Sequence, residues 1–274
     1  MTFDPNAIRA FEHAGWEKAA PDYVATFAAA TAEYVEPLLD AASFGSGDNL
    51  LDLCCGPGHV AAAAAARGAT AQGLDFSLAM VGLARRRNPA LAFRDGLAEK
   101  MPLGDATMDA VVSNFGIHHV AHPALAVAEA CRTLKPGRRF AFTTWAAPAE
   151  NIAWRLLFDA IDLYGDRNAA NAPPSGGGLA SEEAVSRLFR ESGFTDIGVT
   201  TLHREWRLAR PGDLISALRR GTVRTAALIE AQRPAALLAI EAEIARQAAA
   251  YRRDGWYEIP IAAILGHGAK PQSA

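Results

Sequence analysis

The run Leu50-Leu51-Asp52-Leu53-Cys54-Cys55-Gly56-Pro57-Gly58-His59-Val60 constrains this chain more than any other stretch. An apolar segment ends on an acid, a Gly-x-Gly turn follows, and the alanines from Ala61 to Ala66 read as a helix. Strand, turn and helix in that order open a doubly wound α/β sheet, whose ligands sit beyond the carboxyl ends of the strands. Gly56 and Gly58 let the backbone approach a ligand closely and take angles that a Cβ resists. Gly-x-Gly-x-x-Ala alone also fits a dinucleotide fingerprint. Asp52, just ahead of the turn, shifts the reading, because a carboxylate at the strand end suits an ammonium or sulfonium and repels a pyrophosphate.

From Asp52 to Gly58 the residues resemble motif I of the S-adenosylmethionine-dependent methyltransferases with a Rossmann-like fold, written Asp-x-Gly-x-Gly-x-Gly. Cys54 stands where the family has its first glycine, so that backbone position must tolerate a small side chain. The resemblance implies S-adenosylmethionine as cofactor, with Asp52, Cys54, Gly56 and Gly58 in its site. A short second strand, 69–74, ends at Asp75, and an acid about 20 residues past a glycine turn accepts hydrogen bonds from ribose hydroxyls. Phe76 is placed to lie against the adenine, Ser77 to cap the next helix, and Met80 to pack toward the nucleoside.

The third strand, 91–94, leads into Asp95-Gly96-Leu97-Ala98-Glu99-Lys100-Met101-Pro102-Leu103, which resembles the family segment Gly-Asp-Ala-Glu-x-Leu-Pro-Phe. In this register Leu97 occupies the place of the adenine-binding Asp, and the Ala98 N–H keeps its place beside a ring nitrogen. The adenine amino group is then left to Asp95, to backbone or to water. Leu-Lys-Pro-Gly-Arg-x-Phe, 134–140, is similar to the family's Leu-Lys-Pro-Gly-Gly-x-Leu.

Residues 108–116 form the fourth strand, continuously apolar as a strand buried on both faces should be, with Asn114 and Phe115 as wall residues at its end. No Asn-Pro-Pro-Tyr or Asp-Pro-Pro-Tyr occurs there, and no acid at the strand end begins a magnesium site, so no metal is expected. His118 and His119 follow; adjacent side chains diverge, so at most one is expected to face the site, and His118 is the candidate proton acceptor.

At 274 residues with 50% apolar content the chain suffices for a single domain. Its expected core is 48–208 with 256–268, a seven-stranded, mostly parallel sheet whose last strand returns antiparallel. Helices over 6–42 precede it, with Pro21 in the first turn of one and a break or restart at Pro37. The resemblance implies that these helices fold over the cofactor, with Tyr23 at its methionine end. Residues 211–254 read as two helices in a hairpin, lightly packed and forming a lid with the Ala/Pro/Gly loop 168–178. Arg219, Arg220 and Arg224 share one side of it, either as a solvated face or to capture an acidic acceptor group.

A net charge of −3 gives no basic field for nucleic acid. Three cysteines without disulfide or metal spacing, and an opening without a signal-peptide pattern, fit the cytoplasm, and no apolar run approaches the roughly 20 residues of a membrane helix. The whole is similar to small-molecule methyltransferases of the quinone and lipid group, acting on an O, N or C atom of a partly apolar acceptor. The competing reading is a nicotinamide-dependent reductase using Gly56-x-Gly58-x-x-Ala61; against it, no tyrosine has a lysine four residues later and Asp52 would crowd the pyrophosphate.

Overall fold

The computed structural model describes residues 4–173 and 178–272. Three helices, α1 (Pro5–Thr26), α2 (Ala28–Ala32) and α3 (Val35–Ala42), lead into β1 (Asn49–Leu53). The alternation that follows is α4 (His59–Ala66), β2 (Thr70–Asp75), α5 (Leu78–Arg87), β3 (Ala92–Asp95), β4 (Met108–Asn114), α6 (Pro123–Thr133) and β5 (Leu134–Trp145). Then come α7 (Ile152–Tyr164), α8 (Glu182–Glu191), β6 (Thr195–Leu208), α9 (Asp213–Gly221), α10 (Arg224–Glu230), α11 (Pro234–Ala248), β7 (Arg252–Arg253) and β8 (Trp256–Ala269). The sheet runs β3-β2-β1-β4-β5-β8-β6, with the two-residue β7 paired onto β8. β1 to β5 are parallel, and β8 lies antiparallel between β5 and β6. The fold is thus the expected mostly parallel α/β sheet, with one additional short strand.

Strand alternation sorts the core. Leu51, Leu53, Val111, Phe140 and Phe142 face α6 and α8, whereas Leu50, Ala110, Val112 and Ala141 face α3, α4 and α5. From β1 the chain winds outward through β2 and β3 and then returns to β4 on the other side of β1. The order therefore reverses between β1 and β4, and the crevice beyond their carboxyl ends is where a doubly wound sheet binds its ligand.

Several boundaries differ from the sequence reading. Pro21 lies inside α1 rather than in a first turn, in a helix braced by α5 and α9. The first helix of the expected hairpin is broken at Thr222-Val223 into α9 and α10. That segment is also not lightly packed. Leu214, Leu218, Ile229, Ile240 and Ile244 are buried in one cluster with Trp206 of β6 and Ile259 and Ile261 of β8. These helices complete the hydrophobic cover of the antiparallel edge, so they are structural as well as peripheral. The loop 168–178 lies partly outside the described residues. No helix among the described residues is long and apolar enough to cross a membrane.

Candidate active site

The turn after β1 is shaped by positive φ. Gly56 and Gly58 have φ of 51° and 80°, and Cys54 takes 57° despite its side chain. At the end of β4, Phe115 takes 56°. Two non-glycine residues in the left-handed region thus bracket the crevice, a strained arrangement of the kind found at ligand sites. Cys54 can occupy the family's glycine position because Gly116 lies opposite; a Cβ on Gly116 would sit 2.4 Å from the Cys54 Cβ. Burial among nearby carboxylates pushes the Cys54 thiol well up, so it is not a ready nucleophile.

Asp52, the penultimate residue of β1, is almost fully buried. Its Oδ2 accepts from the Ala61 N–H of α4 at 3.0 Å, and its Oδ1 has no partner among the described residues. Burial raises its carboxyl to about 8, against the Ala61 hydrogen bond and with help from the Asp75 charge. Asp75 ends β2 and accepts from the Gly56 N–H at 2.8 Å and the Ser77 N–H at 2.9 Å, so it binds the glycine turn to the start of α5. Burial raises it to about 6, with both N–H groups opposing. Ser77 caps α5 as expected, accepting from Met80 N. Glu17 of α1 reaches the same corner, taking the Ser77 hydroxyl at 2.8 Å.

A cavity of about 230 Å³ opens over these strand ends. Of the residues singled out from the sequence, Tyr23, Cys54, Gly56, Asp75, Phe76, Met80, Leu97, Ala98, Asn114, Phe115 and His118 line it. Asp52 lines a smaller recess of about 40 Å³ that shares Tyr23, Thr31, Cys54, Gly56 and Asn114 with the main cavity. Gly58 lines neither; it starts α4, and a Cβ there would meet Phe93 at 2.7 Å, so its part is to set the turn. Asp95 is exposed and does not reach the cavity, which leaves Leu97 on the wall where the family has an acid. Tyr23 donates to or accepts from Thr31 Oγ1 at 3.1 Å, and burial lifts its phenol to about 12. Asn114 donates to Thr31 O at 3.0 Å and accepts from Thr143 Oγ1 at 2.7 Å.

The far end of the cavity is aromatic and then polar. Phe115 stacks on Trp145 at 3.9 Å, and Trp154 and Trp16 extend the same wall. Both His118 and His119 line the cavity, contrary to the expectation that only one would, because the chain between β4 and α6 closes into a tight 3₁₀ turn over 117–119. His118 Nδ1 lies 3.3 Å from Thr144 Oγ1, and burial, with His119 and Arg224 nearby, holds its imidazolium well below the ordinary range. His119 Nδ1 lies 2.9 Å from Glu12 Oε2, while Glu12 Oε1 accepts from Arg224 Nε at 2.5 Å. Of the three arginines set on one side of the hairpin, Arg220 pairs outward with Asp22 and only Arg224 lines the cavity.

Arg9, Glu12, Trp16, Glu99, Trp145 and Trp154 were not singled out for this site. Glu12 left one sign in the sequence, a carboxylate on the stripe that carries Ile8 and Ala19, all of them buried.

The sheet order, the reversal at β1 and β4, the glycine turn and the two acids beside it define a Rossmann-like α/β protein with a nucleoside-type site at its switch point. Comparison agrees: a model of the methyltransferase domain family matches residues 51–142. The demethylmenaquinone methyltransferase of Clavibacter sepedonicus is 31% identical over 183 residues, 58% of this chain and 73% of that protein. That of Renibacterium salmoninarum is 27% identical over 188 residues, 62% of this chain and 79% of its own length. The crystal structure of a candidate methyltransferase from Bacillus halodurans C-125 superposes with a TM-score of 0.58 at 21% identity, covering 88% of this chain and 100% of that one. The chain belongs to the methyltransferase domain family, as an S-adenosylmethionine-dependent methyltransferase of small molecules. The reductase reading finds no support.

Proposed function

We propose that this enzyme methylates an O, N or C atom of a planar, partly apolar small molecule held against Phe115, Trp145 and Trp154. The observation that carries the reading is the unpaired, buried Oδ1 of Asp52 at the switch point, a residue 1% exposed that lines a recess sharing Tyr23, Thr31, Cys54, Gly56 and Asn114 with the aromatic cavity. A buried carboxylate without a partner is costly unless a cation completes it. Asp52 would take the ammonium of the cofactor, with Tyr23 and Asn114 beside its methionine end. Asp75 would take the ribose hydroxyls with its remaining lone pairs. Phe76, Met80 and Leu97 would enclose the adenine, and the Ala98 N–H would meet its ring edge. Cys54, Gly56 and Gly58 would shape the turn beneath it.

S-adenosylmethionine, when bound, supplies a methyl group already made electrophilic by the sulfonium. The protein's share is then in-line positioning and exclusion of water. His118, held neutral, would orient the attacking atom. The segment 222–225, joined to loop 168–173 by the 2.6 Å bond from Arg224 Nη1 to Pro173 O, would form the lid over the acceptor. The relatives named for demethylmenaquinone favour a ring-bearing acceptor over a chain-like one. The net charge of −3 favours a small molecule over nucleic acid, and a cytoplasmic site of action fits the three free cysteines. Calorimetric titration with S-adenosylmethionine and, separately, NADH tests the cofactor site, followed by transfer of radiolabelled methyl to a library of quinols, phenols and amines. Saturable binding of the first alone and label on ring-bearing acceptors are expected. Binding of NADH alone would overturn the cofactor assignment, and label confined to acyclic acceptors would overturn the acceptor.

A further inference from the structure

Two histidines share the acceptor end of the cavity, and their surroundings differ in a way that assigns the proton chemistry. The hydrogen-bond partner of His118 is neutral, the Thr144 hydroxyl at 3.3 Å, with the His119 ring 4.2 Å away and the Arg224 charge nearby. His119 faces a carboxylate. Glu12 is fully buried on α1, 107 residues away in sequence, with its Oε2 2.9 Å from His119 Nδ1. A carboxylate there fixes the tautomer, with Nδ1–H donating to Glu12 and the Nε2 lone pair left over. Nε2 has no partner among the described residues, and the ring lines the cavity, fixed edge-on against Trp16 at 5.0 Å. Glu12 is in turn held by Arg224 from the lid segment, Nε to Oε1 at 2.5 Å. Burial alone would raise the Glu12 carboxyl, and His119 and Arg224 together hold it below its ordinary range instead. Arg224 also donates Nη1 to Pro173 O, and its Nη2 has no partner among the described residues.

We propose that Glu12, His119 and Arg224 act as one proton-accepting unit, and that the acceptor is a phenol or enol that reacts as its oxyanion. This deepens the proposed function and rests on the acceptor lying at that end of the cavity. His119 Nε2 takes the hydroxyl proton and becomes imidazolium between Glu12 and the new oxyanion. Glu12 acts by positioning, and Arg224 Nη2 faces the negative oxygen. The oxygen's electron pair forms the bond to the methyl carbon while the carbon–sulfur bond breaks with its pair left on sulfur, so the sulfonium becomes a neutral thioether. Where the pair is delivered through the conjugated carbon instead, that carbon then releases its own hydrogen as a proton, and the oxyanion this regenerates takes the hydroxyl proton back from the His119 imidazolium. In both cases one proton leaves to solvent per methyl transferred. A positioned base of this kind contributes roughly 10²–10⁴-fold.

The probe is a series of phenols of graded acidity, from unsubstituted phenol to nitrophenols already ionised at the assay pH, tested with the full-length protein. First, the absorbance of 4-nitrophenol bound in the presence of S-adenosylhomocysteine reports its ionisation without turnover. The wild type should bind it with its apparent pKa lowered, and His119→Gln and Arg224→Met should return it toward the solution value. Second, methyl transfer by His119→Gln should fall about 100-fold for un-ionised phenols and less than about 3-fold for the ionised ones. Glu12→Gln should show the same acidity-dependent loss, partly restored by Glu12→Asp, and unchanged S-adenosylhomocysteine affinity separates this from damage to the cofactor site. If Glu12→Gln fails to fold, the His119 and Arg224 variants carry the test. Losses equal for all phenols would mean a purely structural unit, an acidity-dependent loss in His118→Gln and not in His119→Gln would move the base, and failure of the wild type to bind any phenol would reject the acceptor class. Each of the three overturns the proposal, while loss of cofactor binding by the wild type would instead strike the cofactor reading beneath it.

Discussion

Replacing Asp52 with Asn tests whether a buried carboxyl gives up its proton to receive a cationic ligand. With its pKa raised to about 8 by burial, Asp52 is roughly nine-tenths protonated in the free protein near neutrality. An ammonium against its unpaired Oδ1 should lower that pKa by roughly 2, within the range for an adjacent opposite charge. Binding at about pH 7 should then release roughly 0.8 proton, and affinity should rise roughly 6-fold between about pH 6.5 and 7.5. The cofactor's own α-amino group, with an ordinary pKa of about 7.7–8.0, is partly deprotonated at the top of that window, and the Asp52→Asn variant measures that contribution separately. The sign is fixed by the direction of the shift: the folded, free protein favours the protonated acid, so ionisation penalises it as pH rises and cofactor removes the penalty. Asn keeps the hydrogen bond from Ala61 and cannot ionise, so Asp52→Asn should bind more weakly and lose the proton release and the rise in affinity that Asp52 contributes in this window. Titration calorimetry in two buffers of different ionisation enthalpy measures the proton count. Release near zero in the wild type, or the same release in the variant, would mean that Asp52 does not ionise to receive the cofactor.

Asp75→Ala should weaken cofactor binding by roughly 2–4 kcal/mol, from the loss of hydrogen bonds to a charged acceptor. Its effect on stability should be small, because the two N–H groups it orphans are offset by removing a carboxylate whose ionisation costs roughly 3 kcal/mol at neutrality, going by its shift from 3.8 to about 6; denaturant unfolding and direct titration separate the two. Leu97→Asp should tighten S-adenosylmethionine binding about 3–10-fold by restoring one acceptor, and weaker binding by a folded variant would mean that Leu97 packs on the base. Gly116→Ala should destabilise the protein by roughly 1–3 kcal/mol through its clashes with Cys54 Cβ at 2.4 Å and Ser113 Oγ at 2.7 Å, and in a Cys54→Gly background the same change should cost less, the Ser113 contact remaining; additive shifts in melting temperature would show that Gly116 and Cys54 are not coupled.

What could be read from the sequence was local. Asp52, the glycine turn and Asp75 announce themselves because strand, turn and acid are adjacent in the chain and each position has one physical task. The apolar run of β4 was legible for the same reason, and the chain reversal then placed Asn114 and Phe115 at the crevice. Distant pairings were not legible. Nothing in the order of residues links Glu12 to His119 or Arg224, which lie 107 and 212 positions away. The break at Thr222-Val223 also escaped, since helical spacing of Leu214, Leu218 and Ile229 continues across it. That break turns Arg224 into the cavity while Arg220 stays outside. Pro21 misled because a proline inside a helix is disfavoured by local geometry alone, and in α1 tertiary packing overrides it.

Whether the cofactor lies across the ends of β1 and β2 is decided by a crystal structure of the protein with S-adenosylhomocysteine. Ribose hydroxyls within hydrogen-bond distance of Asp75, the amino group directed at Asp52, and the adenine between Phe76 and Leu97 are expected. A nucleoside seated elsewhere, or a ribose turned away from Asp75, would contradict that placement.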